Sequence, residues 1–165
     1  MRNTTEVTLQ SPNSSDGYEL NRLIEKSPPL DPNSVYCNLL QCTHFRDTCI
    51  GAKSNGQLVG FVSGYLLPEK PHTLFVWQVV VSEAARGQGL ASRMVLALLK
   101  QPACREIDFV ETTITPDNKA SQSLFKKLGD TLKTEVQILP GFDTAEHFNG
   151  QHESEELWRI GPIKK

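Results

Sequence analysis

The sequence predicts an α+β fold in which a mixed, mostly antiparallel sheet contains one parallel, splayed strand pair and is flanked by helices. Three β-like segments, residues 48–53, 58–67 and 74–81, are joined by connections too short for a crossover, which predicts an antiparallel meander. The next strand, Ile107–Ile114, is reached through a helical segment, Leu90–Leu99, and is therefore expected to lie parallel to the last strand of the meander. This pair is expected to splay apart past a glycine turn and to leave room there for a long, thin ligand.

The first elements precede this meander. Residues 1–5 are expected to form a flexible tail, and Val7–Leu9 a short first strand. Asp16 is a candidate N-cap for a short helix, because Glu19 three residues later completes a capping-box pattern. Two prolines directly after Ser27 are expected to end that helix.

A second helix is predicted before the meander, with Asn33 or Ser34 as its cap. Tyr36 lies about 100° around this helix from Val35 and can therefore point in another direction. One face of the helix carries Val35, Leu39, Leu40 and Thr43.

The last third of the chain predicts a turn at residues 115–118, a helix and two strands. The helix, Lys119–Leu128, is expected to end at Gly129, since glycine is common just past a helix end. The strands are Thr131–Leu139 and Leu157–Ile160. Residues 140–153 between them are polar and show no period, and loops of this length often carry function.

Composition narrows the function classes. The 165 residues, 1–165, are expected to form one domain with a net charge of −2, which does not favour binding to nucleic acid or an anionic membrane. No apolar run approaches 18 residues and no signal peptide is present, so a cytoplasmic protein is expected. The four cysteines form no CxxC pair and are expected to be reduced. No metal site is predicted, because His147 and His152 lack a suitable third ligand nearby.

The most informative segment is Trp77–Leu99, a strand, a glycine turn and a helix in succession. The apolar run 79–81 predicts a buried strand, and the turn 86–89 has glycines at the helix entrance. A helix N-terminus carries roughly +0.5 charge and several N–H groups without partners, and glycine lets a ligand approach them, so the turn predicts a phosphate or pyrophosphate site. The alternative is a tight turn without a ligand. The sequence contains neither a GxxxxGK[ST] loop nor a GxGxxG loop with an acidic ribose ligand.

Val79-x-Val81 followed by Arg86-Gly87-x-Gly89-x-Ala91 resembles the acetyl-coenzyme A signature of the GCN5-related N-acetyltransferase (GNAT) family. In that family the strand backbone binds pantetheine and the turn amides hold the pyrophosphate. The resemblance implies the GNAT fold, acetyl-CoA as cosubstrate, no permanently bound cofactor, and a homodimer. The residues it assigns to acetyl-CoA are Val79, Val81, Arg86, Gly87, Gln88, Gly89, Leu90, Ala91, Asn118 and Phe125.

Further phrases resemble the branch of this family that acetylates L-2,4-diaminobutyrate. They are PLDPNSVYCNLLQCTHF, LFVWQVVV, ETTITPDNKAS and ELWRIGP, and they extend from Pro29 to Pro162. The resemblance implies acetyl transfer to the 4-amino group of that amino acid, a step of ectoine biosynthesis. Two alternatives remain open: an acetyltransferase for another small amine, such as a polyamine or aminoglycoside, and a coenzyme A-binding module without catalysis.

An acceptor with two ammonium groups requires acidic and aromatic partners. Acidic candidates are Asp31, Glu155 and Glu156, of which Asp31 and Glu156 are expected to hold the ammonium groups. Tyr36 and Trp77 are expected to form an aromatic wall. The alternatives are a capping or turn role for Asp31 and a half-buried core position for Tyr36.

The catalytic candidates follow from the need for a neutral amine. Glu156 is slightly favoured as the base, with His152 and, through water, Asp31 as the other possibilities. Many members of the family carry a tyrosine that protonates the leaving thiolate, and Phe125 stands at that position here. The acid is therefore Ser121, water or no group at all.

Overall fold

The computed structural model describes residues 6–164, so the predicted tail, 1–5, lies outside the described residues. Over this range the chain forms the following strands and α-helices, with short 3-10 turns between some of them. The strands are β1 Val7–Gln10, β2 Ile50–Ser54, β3 Gln57–Leu67, β4 Lys70–Val81, β5 Phe109–Ile114, β6 Val136–Phe142 and β7 Glu155–Ile160. The helices are α1 Gly17–Glu25, α2 Val35–Thr43, α3 Leu90–Leu99 and α4 Lys119–Leu132. None of the described helices is long and apolar enough to span a membrane.

The strands follow the order β1-β2-β3-β4-β5-β7-β6 in one mixed sheet. β4 and β5 are parallel, with Thr73 opposite Phe109 and Phe75 opposite Glu111. The pairs β1–β2, β2–β3, β5–β7 and β6–β7 are antiparallel. The predicted fold class is therefore confirmed, including the parallel pair joined through α3.

The chain divides into two compact units, and strand β4 contributes to both. The first contains the residues up to Tyr65 and Gln78–Arg105, and the second contains Leu66–Trp77 and the residues from Glu106 onward. The core of the first unit is Leu20, Leu23, Ile24, Cys42, Cys49, Leu58, Phe61 and Val80. The largest buried side chains of the second include Leu74, Val110, Phe125, Leu128, Trp158 and Ile160.

The start of α1 differs from the prediction. The cap is Asn13, whose Oδ1 accepts from Ser15 N at 2.9 Å, and a 3-10 turn, Ser14–Asp16, precedes the helix. Asp16 makes no side-chain cap of α1 and instead pairs with Lys53 Nζ at 2.8 Å. Glu19 accepts from Leu58 N at 2.6 Å. The prediction that Asp16 caps α1 was therefore wrong. Asn13 caps the preceding turn, and the carboxylates of Asp16 and Glu19 instead bind residues of β2 and β3.

Helix α2 begins as predicted, with Ser34 Oγ accepting from Cys37 N at 3.0 Å. Its fully buried residues are Asn38, Gln41 and Cys42, whereas Val35 is exposed. Asn38 is bonded at both ends of its amide, to Asn21 and to Gln41, whereas Gln41 is bonded through Oε1 and its Nε2 has no partner among the described residues.

Helix α4 continues past the predicted stop at Gly129. It ends at Leu132, and its C-cap, Lys133, adopts the left-handed conformation with φ +53°. A Cβ at Gly129 would lie 2.5 Å from Val136 Cγ2, so this glycine permits close helix–strand packing. The C-cap prediction for Gly129 was wrong, and strand β6 consequently starts at Val136 rather than Thr131.

Candidate active site

The glycine turn lies in the first unit, between the end of β4 and α3. Gly87 and Gly89 have φ values of +77° and +71°, a left-handed conformation in which other residues are strained. A Cβ added to either would meet no protein atom within 4 Å. Gly89 caps α3 without a side chain, so the first N–H groups of the helix are left to other acceptors. This arrangement suits an anion such as a pyrophosphate.

Arg86 connects this turn to β4. Its Nε donates to Val81 O at 3.2 Å, which fixes the guanidinium at the end of the strand while the residue stays exposed. Val79 and Val81 lie beyond the parallel ladder, whose last pair is Phe75 and Glu111. Their assignment to acetyl-CoA, like those of Gln88, Leu90 and Ala91, stays a prediction.

Asp31 and Tyr36 also lie in the first unit, and both are exposed. Ser34, not Asp31, caps α2, so a helix-cap role for Asp31 was the wrong alternative. The Asp31 carbonyl oxygen accepts from Gln78 Nε2 at 3.2 Å. Tyr36 is 70% exposed in the first turn of α2, which rules out a half-buried core position. Both side chains are accessible to a ligand.

Trp77, Glu155 and Glu156 belong to the second unit. Trp77 is 42% exposed on β4. Glu155 and Glu156 are consecutive on β7, and consecutive strand residues point to opposite faces of a sheet. Glu156 shares the face of the buried Trp158, whereas Glu155 accepts from Thr113 Oγ1 on the other face at 3.5 Å. The structure therefore does not bring these two carboxylates together.

The predicted loop between β6 and β7 is held by specific hydrogen bonds. Asp143 Oδ2 accepts from the backbone N–H groups of Ala145 and Glu146 at 3.0 and 2.9 Å. Thr144 bonds Ser154 through both its backbone N–H and its hydroxyl, each at 2.9 Å. These bonds hold residues 143–154 in an internally hydrogen-bonded turn.

The two histidines of this loop have opposite hydrogen-bond roles. His147 Nδ1 accepts from Asp143 N at 2.8 Å, so the proton of its neutral ring lies on Nε2. His152 Nδ1 contacts Glu153 O at 2.6 Å and must donate, since a carbonyl oxygen only accepts. The neutral His152 ring therefore has its lone pair on Nε2. Phe148 packs on the His152 ring with centroids 4.6 Å apart. Among residues 6–164, no group of three His, Cys, Asp or Glu residues could hold a metal ion.

Asn118 and Phe125 lie on α4 in the second unit. Asn118 Oδ1 accepts from Ser121 N at 3.1 Å and caps the helix. Phe125 is buried in the core of its unit. Neither observation tests the predicted contact with acetyl-CoA.

The cysteines are all free thiols. Burial raises the pKa of Cys42 and of Cys49 to about 12, and that of Cys104 to about 11. These thiols therefore stay protonated at neutral pH and are poor nucleophiles.

Gln78 is the residue that sequence reasoning missed. Both ends of its amide are hydrogen-bonded in the first unit, to Asp31 O and to Asn33 Nδ2. The available signal was a single glutamine in the otherwise apolar run LFVWQVVV.

Comparisons with known proteins agree with this geometry. The family model described as Acetyltransferase (GNAT) family matches residues 17–130. The L-2,4-diaminobutyric acid acetyltransferase of Methylotuvimicrobium alcaliphilum is 54% identical, over 96% of this chain and 92% of that protein. The protein of the same name from Halomonas elongata is 44% identical, over 94% of this chain and 81% of that protein.

Solved structures give the same result. The diaminobutyrate acetyltransferase EctA from Paenibacillus lautus, in complex with its substrate L-2,4-diaminobutyric acid and coenzyme A, has a TM-score of 0.93 and is 39% identical over 98% of both chains. Ard1 from Thermoplasma volcanium has a TM-score of 0.75 over 96% of this chain and 99% of that one. At 17% identity, the second likeness shows the fold alone.

Proposed function

The chain belongs to the acetyltransferase (GNAT) family, and on that premise we propose that it transfers the acetyl group of acetyl-CoA to the 4-amino group of L-2,4-diaminobutyrate. The product is N4-acetyl-L-2,4-diaminobutyrate, for ectoine biosynthesis. The observation that carries the proposal is the 0.93 TM-score, over 98% of both chains, with a structure that holds this substrate and coenzyme A. The 54% identity to a diaminobutyric acid acetyltransferase supports the same acceptor.

The donor is assigned to the glycine turn. The N–H groups at the start of α3 donate hydrogen bonds to the pyrophosphate, and Gly87 and Gly89 let it approach the backbone. Arg86 adds a positive charge, since its guanidinium is fixed at the end of β4. The backbone of 79–81 binds pantetheine, as the family pattern implies.

The acceptor is assigned to acidic and aromatic side chains, of which Asp31, Tyr36 and Trp77 are exposed and Glu156 is half-buried. Asp31 and Glu156 hold ammonium groups by charge-assisted hydrogen bonds. Tyr36 and Trp77 offer aromatic faces, which attract cations. Glu155 points to the opposite face of β7 from Glu156, so we assign only Glu156 to the ammonium.

The base is His152 in this proposal, and Glu156 keeps an electrostatic role. An alkylammonium has a pKa near ~10.4 in water, so the attacking amine has to lose a proton before it can react. His152 Nε2 has the lone pair that accepts this proton, because Nδ1 donates to Glu153 O. Sequence reasoning slightly favoured Glu156, and the histidine tautomer changes that preference.

Acyl transfer then follows in two bond changes. The neutral amine adds to the thioester carbonyl carbon, and a backbone N–H of 79–81 stabilises the oxyanion. The C–S bond breaks as the carbonyl reforms, the electron pair leaves on sulfur, and the nitrogen loses its second proton to water or to the departing thiolate. Phe125 has no proton to give, but a thiol with a pKa of about 8.5 leaves readily as the thiolate.

Product analysis tests this function directly. The purified chain with acetyl-CoA and diaminobutyrate should release coenzyme A thiol and give a mono-acetylated product by mass spectrometry, with NMR placing the acetyl group on the 4-nitrogen. Parallel kinetics with ornithine and putrescine separate the acceptors, because putrescine lacks the carboxylate. Acetylation of polyamines or aminoglycosides in preference to diaminobutyrate would contradict the proposal. A chain that binds acetyl-CoA yet releases no thiol with any amine would be a non-catalytic module.

The protein is also proposed to be a cytoplasmic homodimer. Strand β6 is last in the sheet order, and its apolar side chains Ile138, Leu139 and Phe142 are exposed along this edge, which a second copy would cover. Four free thiols fit a reducing compartment. Light scattering should give twice the 18.4 kDa chain mass, and Ile138→Lys should shift the protein toward one chain mass. A monomer for the unmodified chain would overturn the dimer.

A further inference from the structure

We propose that Gln78 is a positioning residue that fixes Asp31 relative to strand β4 and thereby sets the acceptor specificity of the enzyme. The inference rests on the proposed role of Asp31 in holding an ammonium group. Gln78 itself is not assigned a contact with either substrate. It acts through the backbone of the segment that carries the carboxylate.

Both ends of the Gln78 amide bind that segment. Nε2 donates to Asp31 O at 3.2 Å, and Oε1 accepts from Asn33 Nδ2 at 3.0 Å. The two partners are 47 and 45 residues away in the chain. A planar amide with two fixed partners allows little rotation, so the segment has one position relative to the strand.

The hydrogen bonds continue from the segment into the helices of the first unit. Asn21 Nδ2 donates to Asn33 O at 2.8 Å and to Asn38 Oδ1 at 3.0 Å. Asn38 Nδ2 donates to Gln41 Oε1 at 2.9 Å. Asn38 and Gln41 are fully buried, so these amides cannot exchange their partners for bulk water. The position of Asp31 is therefore determined by α1 and α2 as well as by β4.

The strand side of the connection is equally specific. Gln78 N donates to Ser63 Oγ at 3.2 Å, and the same hydroxyl donates to Gln78 O at 3.4 Å. By strand alternation the Gln78 side chain shares a face with the buried Val76 and Val80. A glutamine on an apolar face is unfavourable unless both amide ends are bonded, and here both are.

Gln78 is also adjacent in sequence to one residue assigned to the acceptor and to one assigned to the donor. Gln78 lies between Trp77, assigned to the acceptor, and Val79, assigned to pantetheine. A shift of Asp31 should therefore change the fit of the acceptor while the donor-binding strand and turn keep their own bonds. Small displacements of a binding group are enough to change catalysis considerably.

Gln78→Met tests the inference, because methionine has a similar length and no amide. We expect the KM for diaminobutyrate to rise roughly five- to twenty-fold, while the KM for acetyl-CoA stays within twofold and kcat within threefold. The preference for diaminobutyrate over ornithine should narrow, since the position of the carboxylate no longer selects chain length. Gln57→Met is the matched control, as Gln57 is an exposed glutamine at the start of β3, and it should change none of these values.

Gln78→Glu is the conservative variant. It keeps an acceptor for Asn33 Nδ2 but loses the donor to Asp31 O, so its KM for diaminobutyrate should lie between those of the unmodified enzyme and Gln78→Met. This variant keeps the test informative if the methionine variant fails to fold. Equal KM values for the glutamate variant and the unmodified enzyme would overturn the inference.

A double-mutant cycle with Asp31→Asn separates an effect on the position of the Asp31 carboxylate from a nonspecific loss of rigidity in the protein. The asparagine keeps the backbone oxygen that Gln78 binds and removes only the charge. If Gln78 acts through the carboxylate, Gln78→Met should raise the diaminobutyrate KM less than twofold in the Asp31→Asn background. Additive effects, or an equal rise in the acetyl-CoA KM, would contradict the inference. An Asp31→Asn enzyme with an unchanged diaminobutyrate KM would overturn both the inference and the role of Asp31, whereas product analysis of the unmodified chain would still decide the acetyl transfer.

Discussion

The proposed donor turn and the proposed acceptor residues differ in how the chain brings their residues together. The donor turn, 86–91, is continuous in sequence, and its key feature is the backbone conformation of two glycines. The proposed acceptor residues come from 31–36, from Trp77 and from 152–156, and their positions depend on strand alternation and on hydrogen bonds between distant residues. The first kind of site can be read from a motif, whereas the second depends on tertiary structure.

The largest expected effect lies on the acceptor side, at His152. Replacement by glutamine removes the lone pair that takes the proton from the amine, and kcat should fall roughly 10²–10³-fold at neutral pH. The KM for acetyl-CoA should change little, since the donor turn is untouched. Steady-state kinetics with each substrate varied in turn measure both values.

His147→Gln is the control for this change. His147 belongs to the same loop, but its Nδ1 accepts from Asp143 N, and its neutral ring therefore presents an N–H rather than a lone pair on Nε2. We expect kcat within threefold of the unmodified enzyme. If the two histidine variants lose activity equally, His152 acts by holding the loop and Glu156 becomes the base again.

The next effect is on the donor side, at Gly89. An alanine there has φ +71° but meets no protein atom, so it costs about 1 kcal/mol of stability and places a methyl group where the phosphate approaches. The KM for acetyl-CoA should rise roughly 10- to 100-fold, because the helix amides lose close contact with the pyrophosphate. Initial rates at varied acetyl-CoA and a thermal melt measure the two effects.

Gly56→Ala is a matched control for the backbone strain. Gly56 has φ +76°, and a Cβ there also meets nothing within 4 Å, but the residue lies in the β2–β3 turn. The melting temperature should fall as it does for Gly89→Ala, with an unchanged KM for acetyl-CoA. A Gly89→Ala enzyme with the same kinetics as this control would show that the turn does not bind the donor.

A smaller effect separates the two consecutive carboxylates of β7. Glu156→Gln should raise the KM for diaminobutyrate about tenfold, the size expected for one charge-assisted hydrogen bond. Glu155→Gln should change it less, because Glu155 points to the other face and bonds Thr113. The reverse order would assign the ammonium to Glu155 and would require the acceptor on the opposite face of the sheet.

Local patterns were sufficient for most of the fold. Hydrophobic period and connection length predicted the meander, the α3 crossover and the parallel pair. The two wrong predictions concern residues whose role depends on a partner outside the helix. Asp16 pairs with Lys53 instead of capping α1, and Gly129 packs closely against Val136 instead of ending α4. Helix caps are predicted from neighbouring residues alone, and such a prediction contains no information about the contacts with Lys53 and Val136.

The candidate site was less predictable than the fold. Asp31 and Tyr36 were proposed because their residue types suit an ammonium group, and both are exposed, which is compatible with that role. Glu155 and Glu156, which are adjacent in sequence, were both predicted to bind the substrate, although consecutive side chains on a strand point to opposite faces of the sheet. Gln78 was missed because its partners lie 45 and 47 residues away.

The smallest expected effect is at Phe148, which orients the proposed base without being able to react. Its ring packs on His152 with centroids 4.6 Å apart, and such pairs contribute about 0.5–1.5 kcal/mol. Phe148→Leu should therefore lower kcat about three- to fivefold, with the KM for acetyl-CoA unchanged, because the imidazole samples more orientations while its tautomer is kept by Glu153 O. Phe45→Leu removes a comparable ring pair, with Tyr65, away from this loop and should leave kcat unchanged. A kcat for Phe148→Leu equal to that control would mean that the Glu153 carbonyl alone orients His152.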